Sequence, residues 1–107
     1  MTDFQCACAS IKAVDAIRDI QRFVAPTGDL VEYVEHSSIV SLVDHAAKRT
    51  ISAIDDASKV CNVNLEDAKA QINWVNATFK NKAYITAYDH ALEAQVKFEQ
   101  KICKTEA

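Results

Sequence analysis

Glycine and proline are nearly absent from this chain of 107 residues, which contains one of each, Gly28 and Pro26. A β-sandwich or β-barrel needs a turn about every eight to twelve residues, and such turns are usually built from these two residue types. Glycine-rich phosphate loops, whether of the dinucleotide-binding or the P-loop kind, need several glycines. The composition therefore argues against these classes and favours an all-α protein.

The chain also lacks an excess of basic charge and any long apolar run. Its 12 basic and 15 acidic residues give a formal net charge of −3, whereas nucleic-acid binding usually requires a basic excess. No stretch approaches the roughly 18 uninterrupted apolar residues of a transmembrane helix. The first residues lack the charged and apolar regions of a secretory signal. We therefore expect a cytoplasmic protein with no nucleic-acid partner and no membrane span.

Apolar residues recur at helical spacing along four long segments, about 3–24, 39–61, 65–79 and 83–104. The first segment ends at Pro26 and Gly28. A short helix is predicted over residues 29–36, because the apolar face flips by roughly half a turn at 36–38. Either Ser37 or Ser38 would be the N-cap of the helix that follows.

Each long helix is expected to turn one apolar face towards a shared core. The face of the first helix comprises Phe4, Ala7, Cys8, Ile11, Val14, Ile17, Ile20 and Val24, and that of the second comprises Val40, Val43, Ala47, Ile51, Ile54, Ala57 and Cys61. The face of the third helix comprises Leu65, Ala68, Ile72, Val75 and Phe79. The face of the fourth comprises Ile85, Tyr88, Leu92, Val96 and Cys103. Short links favour antiparallel neighbours. Residues 1–107 are therefore predicted to form one domain, an antiparallel (up-down-up-down) four-helix bundle with one extra short helix between the first and second long helices.

Two asparagines mark the remaining connections. Asn64 precedes Glu66 and Asp67, which is the pattern of an N-cap followed by acidic residues in the first helical turn. Asn81 follows the third helix and is expected to adopt the left-handed conformation that glycine often supplies after a helix.

The four cysteines, Cys6, Cys8, Cys61 and Cys103, are predicted to gather at one end of such a bundle. In the cytoplasm they would be four free thiols, acting as small buried apolar side chains. Two alternatives stay open: one or two disulfides in an oxidising compartment, and a metal or redox site. The metal alternative is weak, because Cys6 and Cys8 point roughly 160° apart on a continuous helix. We expect no cofactor.

The three histidines do not form a recognisable catalytic or metal-binding motif. His45 and His90 fall outside the predicted apolar faces, and a His-x-x-Glu pair starting at His90 reverses the Glu-x-x-His order of di-iron bundles. His36 lies beside two serines, but adjacent residues seldom give the geometry of a nucleophile and its base. We therefore expect no catalytic residue.

Trp74 is the only tryptophan, and it lies about 140° from the apolar face of the third helix. It is aligned with the small residues Ala70 and Ala77, and Tyr33 is predicted near the same end of the bundle. An aromatic side chain outside the core, with small neighbours, is a candidate anchor for another protein chain. The alternative is that the short helix covers Trp74.

These features favour a non-enzymatic protein that acts by protein–protein interaction, a small helical adaptor or inhibitor that docks on a larger partner through Trp74, Ala70, Ala77 and Tyr33. The alternative is a binding module for a metal or a small apolar ligand, using the cysteine-rich end or the bundle interior. A chain of this length buries only about two-thirds of its unfolded surface, so self-association would cover further apolar area. We expect a homodimer rather than a monomer.

Overall fold

The computed structural model describes residues 3–25 and 36–106. This part forms four helices, α1 (Asp3–Val24), α2 (His36–Cys61), α3 (Glu66–Lys80) and α4 (Tyr84–Glu106), and contains no strand. The all-α prediction is confirmed for these residues. Residues 29–35 of the predicted short helix lie outside the described part. No helix in the described ranges combines the length and the apolar character needed to cross a bilayer.

The link between α2 and α3 follows the sequence closely. Asn62 adopts a left-handed conformation with φ of 56°, and the Val63 N–H then donates to the Ser58 carbonyl at 3.1 Å. This bond satisfies one of the carbonyls that the end of α2 leaves open. The Asn64 side chain accepts a hydrogen bond from the Glu66 N–H at 2.9 Å and so supports the start of α3, although the N-cap position itself is Leu65, one residue after the predicted one.

Two other helix ends differ from the prediction. The left-handed residue after α3 is Lys82, with φ of 63°, whereas Asn81 has φ of −87°. The N–H groups of Lys82 and Ala83 donate to the carbonyls of Phe79 and Thr78, which is the Schellman arrangement. This arrangement of hydrogen bonds places the left-handed residue at Lys82, one residue after the predicted Asn81. At the other boundary α2 begins at His36, ahead of the predicted serine N-cap.

The middle helices bury the faces predicted for them, except that Val40 and Ile51 of α2 are only half-buried. Val43, Ala47, Ile54, Ala57 and Cys61 of α2 are buried. All five residues predicted for the third helix are buried as well: Leu65, Ala68, Ile72, Val75 and Phe79. Among the side chains that the structure describes, Thr50 is the one polar group buried with them, and its hydroxyl donates to the Ala46 carbonyl at 2.7 Å. This bond removes the cost of an unsatisfied buried hydroxyl.

The face predicted for the fourth helix is wrong. Ile85, Leu92 and Val96 are exposed and Tyr88 is only half-buried, while the side chain of Cys103 lies outside the described part. The buried residues of α4 are instead Ala87, Ala91, Ala94, Phe98 and Ile102. Both sets recur at helical spacing, so periodicity alone does not choose between them. Helix α4 packs against both α1 and α3, and small side chains let neighbouring helices approach closely.

The first half of α1 is also oriented differently from the prediction. Phe4, Ala7, Cys8 and Ile11 are exposed, and Val14 is half-buried. Ile17, Ile20 and Val24 are buried as predicted, together with Ala13. A straight helix cannot turn both sets inwards, because the predicted apolar stripe drifts around its axis. The core position is taken by the C-terminal set.

Side-chain hydrogen bonds connect α1 to α2 and to α4. The Thr50 hydroxyl of α2 lies 3.3 Å from the Ala16 carbonyl of α1. The Gln21 amide of α1 donates to the Ala91 carbonyl at 3.1 Å and to the Gln95 side chain at 2.9 Å. These bonds hold α1 against α2 near its middle, at Ala16, and against α4 in its last turn, at Gln21.

Replacing a core residue of α4 should cost more stability than replacing one of its large outward residues. We expect Phe98→Ala to lower the free energy of unfolding by about 3–5 kcal/mol, because it leaves a cavity. Val96→Ala should change it by about 0.5 kcal/mol or less. Denaturant titration of both variants checks this, and the opposite ranking would show that Val96 faces the core.

Candidate functional site

Trp74 lies on the outer side of α3 and is 55% exposed. Its neighbours along the helix, Ala70 and Ala77, are exposed too, so the three residues share the outward side that the sequence predicts. Tyr33, the fourth residue assigned to this surface, lies outside the described residues. The described part of the candidate partner-binding surface is therefore a large aromatic ring flanked by small side chains.

The indole ring of Trp74 is held by a stacked histidine. The ring centroids of Trp74 and His90 are 5.9 Å apart, with 18° between their planes. Nδ1 of His90 lies 2.7 Å from Oε1 of Gln71, an oxygen that can only accept, so the imidazole N–H donates to it. Gln71 thus orients His90 and His90 supports Trp74. His90 is half-buried by these contacts, a position that the sequence pattern does not indicate.

The other histidines do not converge with His90. His45 is exposed on α2, as predicted, and the side chain of His36 lies outside the described part. Among residues 3–25 and 36–106, no three His, Cys, Asp or Glu side chains form a group that could hold a metal ion.

Two of the cysteines form a disulfide bond, Cys6 with Cys61, across 55 positions of sequence. The expectation of four free thiols is therefore wrong. The first turns of α1 pack against the end of α2, which brings the two Cα atoms to 4.9 Å, a separation that permits the bond. Oxidised Cys6 and Cys61 cannot act as thiolate ligands, so the weak metal alternative loses two of its four residues.

Cys8 is exposed and not bonded, contrary to its predicted place in the core. It lines an open depression of about 590 Å³ between α1 and α2, together with Phe4, Lys12, Lys59 and Val60. The side chain of Cys103 is not described. In the described part of the chain, the cysteine-rich end thus consists of the disulfide bond and the accessible thiol of Cys8.

A third feature, missed from the sequence, is the groove between α1 and α4. It has a volume of about 280 Å³, and Val14, Phe98 and Ile102 line it. The exposed side chain of Ile11 on α1 also lines it. The available signal was the helical spacing of Ile11 and Val14 and of Phe98 and Ile102, but the same spacing also fits a core face.

Charged side chains occupy the edge between α2 and α3. The Asn76 amide donates to Asp44 at 2.8 Å and Lys48 pairs with the same carboxylate at 3.1 Å; together they lower the pKa of Asp44 below its ordinary value. The ammonium group of Lys69 bridges Asp55 at 2.7 Å and Glu66 at 3.3 Å. These bonds raise the pKa of Lys69. Because its charges pair with one another, this edge is a weaker docking candidate than the apolar surfaces.

Comparisons with protein-family models, with curated proteins and with solved structures found no match to this chain. The functional argument therefore rests on the residues themselves.

Reducing the Cys6–Cys61 bond should lower the free energy of unfolding by about 4 kcal/mol, because the bond closes a long loop in the unfolded chain. Unfolding midpoints with and without reductant measure this, and peptide mapping of the unreduced protein should recover the linked peptides. Cys8→Ser is the control and should leave the midpoint unchanged. Reactive thiols at both Cys6 and Cys61 in unreduced, denatured protein would contradict the bond.

Removing the imidazole should expose Trp74 further. Because Trp74 is the only tryptophan, fluorescence excited at about 295 nm reports on this residue alone. We expect His90→Ala to shift its emission to longer wavelength and to increase quenching by acrylamide. His45→Ala, on another helix, is the control and should change neither. Identical spectra for His90→Ala and the unmodified protein would show that the stack does not persist in solution.

Proposed function

We propose that this protein is a non-enzymatic protein–protein interaction protein, a small helical adaptor or inhibitor that docks on a larger protein through Trp74. The observation that carries the proposal is the combination of exposure and support at this residue. More than half of the Trp74 surface is open to solvent, while its ring is stacked on His90. A soluble chain gains little from holding a tryptophan in this way unless another surface covers it.

The support from His90 and Gln71 favours tight binding for an entropic reason. Ordering a mobile side chain at an interface costs about 0.5–1.5 kcal/mol, and a ring that is already ordered avoids part of this cost. The exposed methyl groups of Ala70 and Ala77 leave space for a partner to close around the indole. Tryptophan is also among the residues that most often dominate binding energy.

A second candidate function is a binding module for a small apolar ligand at the cysteine-rich end. The depression beside Cys8 favours it, since it lies between two helices and includes the exposed Phe4. A metal-binding version is less favoured, because Cys6 and Cys61 are joined to each other. Absorbance spectra and metal analysis of freshly purified protein distinguish this candidate from the first.

The antiparallel bundle is part of this proposal. Near its start α1 is bonded to the end of α2 through Cys6 and Cys61, and further along Thr50 reaches back to Ala16. In the same sense, Asp44 pairs with Asn76 of α3, while Asp55 pairs with Lys69. In both helix pairs, the residue number rises along one helix as the number of its contact partner falls along the other. This pattern supports an up-down-up-down order within one domain of residues 1–107.

The compartment also remains a proposal. The sequence favours the cytoplasm, but a disulfide such as Cys6–Cys61 persists mainly in oxidising compartments. We propose on this ground that the protein functions where its thiols are oxidised. The net charge of −3 supports a protein partner rather than a nucleic acid.

The experiment that tests the proposed function is affinity capture with the full chain immobilised, comparing the unmodified protein with Trp74→Ala. A dominant aromatic anchor contributes about 2 kcal/mol or more, which corresponds to roughly a thirtyfold loss of affinity. We expect at least one protein to be retained by the unmodified chain and lost with Trp74→Ala. Its affinity is then measured with both purified components.

The matched control is Leu42→Ala, which removes a large side chain of similar exposure, 51%, from α2. It should retain the same partner as the unmodified chain. Equal retention by Trp74→Ala, or equal loss with Leu42→Ala, would contradict an anchor at Trp74.

A further inference from the structure

Helix α1 divides at Ala13 into two parts that pack differently. From Ala13 onwards it buries Ile17 and Ile20, and the Gln21 side chain bonds to α4. In contrast, none of residues 4–12 is buried, and only three of them are half-buried. We call residues 4–12 the α1 start. This segment lies on the bundle without contributing a fully buried side chain to the core.

A disulfide bond ties the α1 start to the neighbouring helix. The sulfur of Cys6 is bonded to that of Cys61 at the end of α2, and the Ser10 hydroxyl lies 3.7 Å from the Cys61 sulfur. Phe4 and Ile11, the largest apolar side chains of the segment, are 76% and 62% exposed and add little packing. A helical end of about ten residues with so little burial frays in water when nothing holds it.

Three residues of the core lie beside the α1 start, and we call them the core end: Cys61, Phe98 and Ile102. Each is buried, with at most 8% of its surface exposed. Ser10 lines the groove between α1 and α4 together with Phe98 and Ile102. The Cys61 sulfur also lies 3.6 Å from the Cys6 carbonyl oxygen. Removing the α1 start would therefore expose the core end to water.

We propose that the Cys6–Cys61 bond is a redox-sensitive switch for the α1 start. Reduction of the bond releases this segment and uncovers the core end, while the rest of the bundle stays folded. The rest stays folded because the burial of α1 from Ala13 onwards does not involve the disulfide. This inference does not depend on the proposed anchor, because Trp74 and His90 belong to α3 and α4.

The reaction that opens the switch is thiol–disulfide exchange with a dithiol reductant. One thiolate of the reductant attacks the sulfur of Cys6, the less buried of the two residues, and the Cys61 sulfur leaves as a thiolate. The second thiolate of the reductant then displaces the Cys6 sulfur and closes the reductant's own disulfide. Two electrons pass to the protein, and the two thiol protons of the reductant reach Cys6 and Cys61 through the solvent.

The first experiment compares amide hydrogen exchange in the oxidised and the reduced full chain. Reduction should accelerate exchange of residues 7–12, whose N–H groups bond within α1, at least about tenfold more than exchange of residues 13–24. The double variant Cys6→Ser with Cys61→Ser should show the same pattern without reductant. The matched control, Cys8→Ser, keeps the bond and should be as protected as the unmodified chain. Adding an oxidised dithiol to the reduced chain should restore the protection.

The second experiment follows the Cys61 thiol in the reduced chain without denaturant. Cys8 is exposed, so its alkylation by iodoacetamide gives the rate of an open thiol. When the α1 start is released, Cys61 should be alkylated at a rate within about tenfold of that of Cys8, which peptide mapping of timed samples measures. The emission of Trp74 should not change on reduction, because α3 and α4 keep their packing.

Two results would overturn the proposal. If residues 7–12 stay protected after reduction and Cys61 reacts slowly, the α1 start remains docked without the bond. If protection is lost evenly along the chain and the Trp74 emission shifts to longer wavelength, reduction unfolds the whole bundle rather than one segment. Failure of the Trp74 capture experiment would leave this proposal intact, because neither readout involves a partner protein.

Discussion

The packing of α4 through its alanines is the constraint on which the other features of the structure depend. Ala87, Ala91 and Ala94 face the core, and Phe98 and Ile102 fill it towards the cysteine-rich end. Small residues let α4 approach two neighbouring helices at once. The orientation that buries them also directs Leu92 outwards and brings His90 of α4 onto the indole ring of α3. The rotational setting of α4 therefore also determines the support of the Trp74 surface.

The disulfide bond between Cys6 and Cys61 attaches the first turns of α1 to the end of α2. Without it, the first turns of α1 would be held only by partly buried residues such as Cys6 and Ala9, since Phe4 and Ile11 point outwards. The covalent bond to Cys61 keeps this segment against α2 even though its largest side chains are not in the core. The exposed apolar residues of α1 are thus presented on an anchored helix, which lowers the entropy lost when a partner covers them.

Local features of the chain were predictable from the sequence because they depend on neighbours a few residues away. The scarcity of glycine and proline and the apolar spacing predicted the four helices, Asn64 marked the start of α3, and the faces of α2 and α3 followed from periodicity. Trp74 was placed outside the core by the same reasoning. For α3 a single apolar stripe existed, so no competing orientation could arise.

Only the tertiary structure decided the orientation of α4, the first half of α1 and the state of the cysteines. Helix α4 carries two apolar stripes separated by roughly a third of a turn, and the choice between them depends on how closely α1 and α3 approach. The pairing of Cys6 with Cys61 depends on a distance across 55 positions. The stack of His90 on Trp74 arises only once α4 has been set. Periodicity describes one helix at a time, whereas these features depend on the relative rotation and spacing of two.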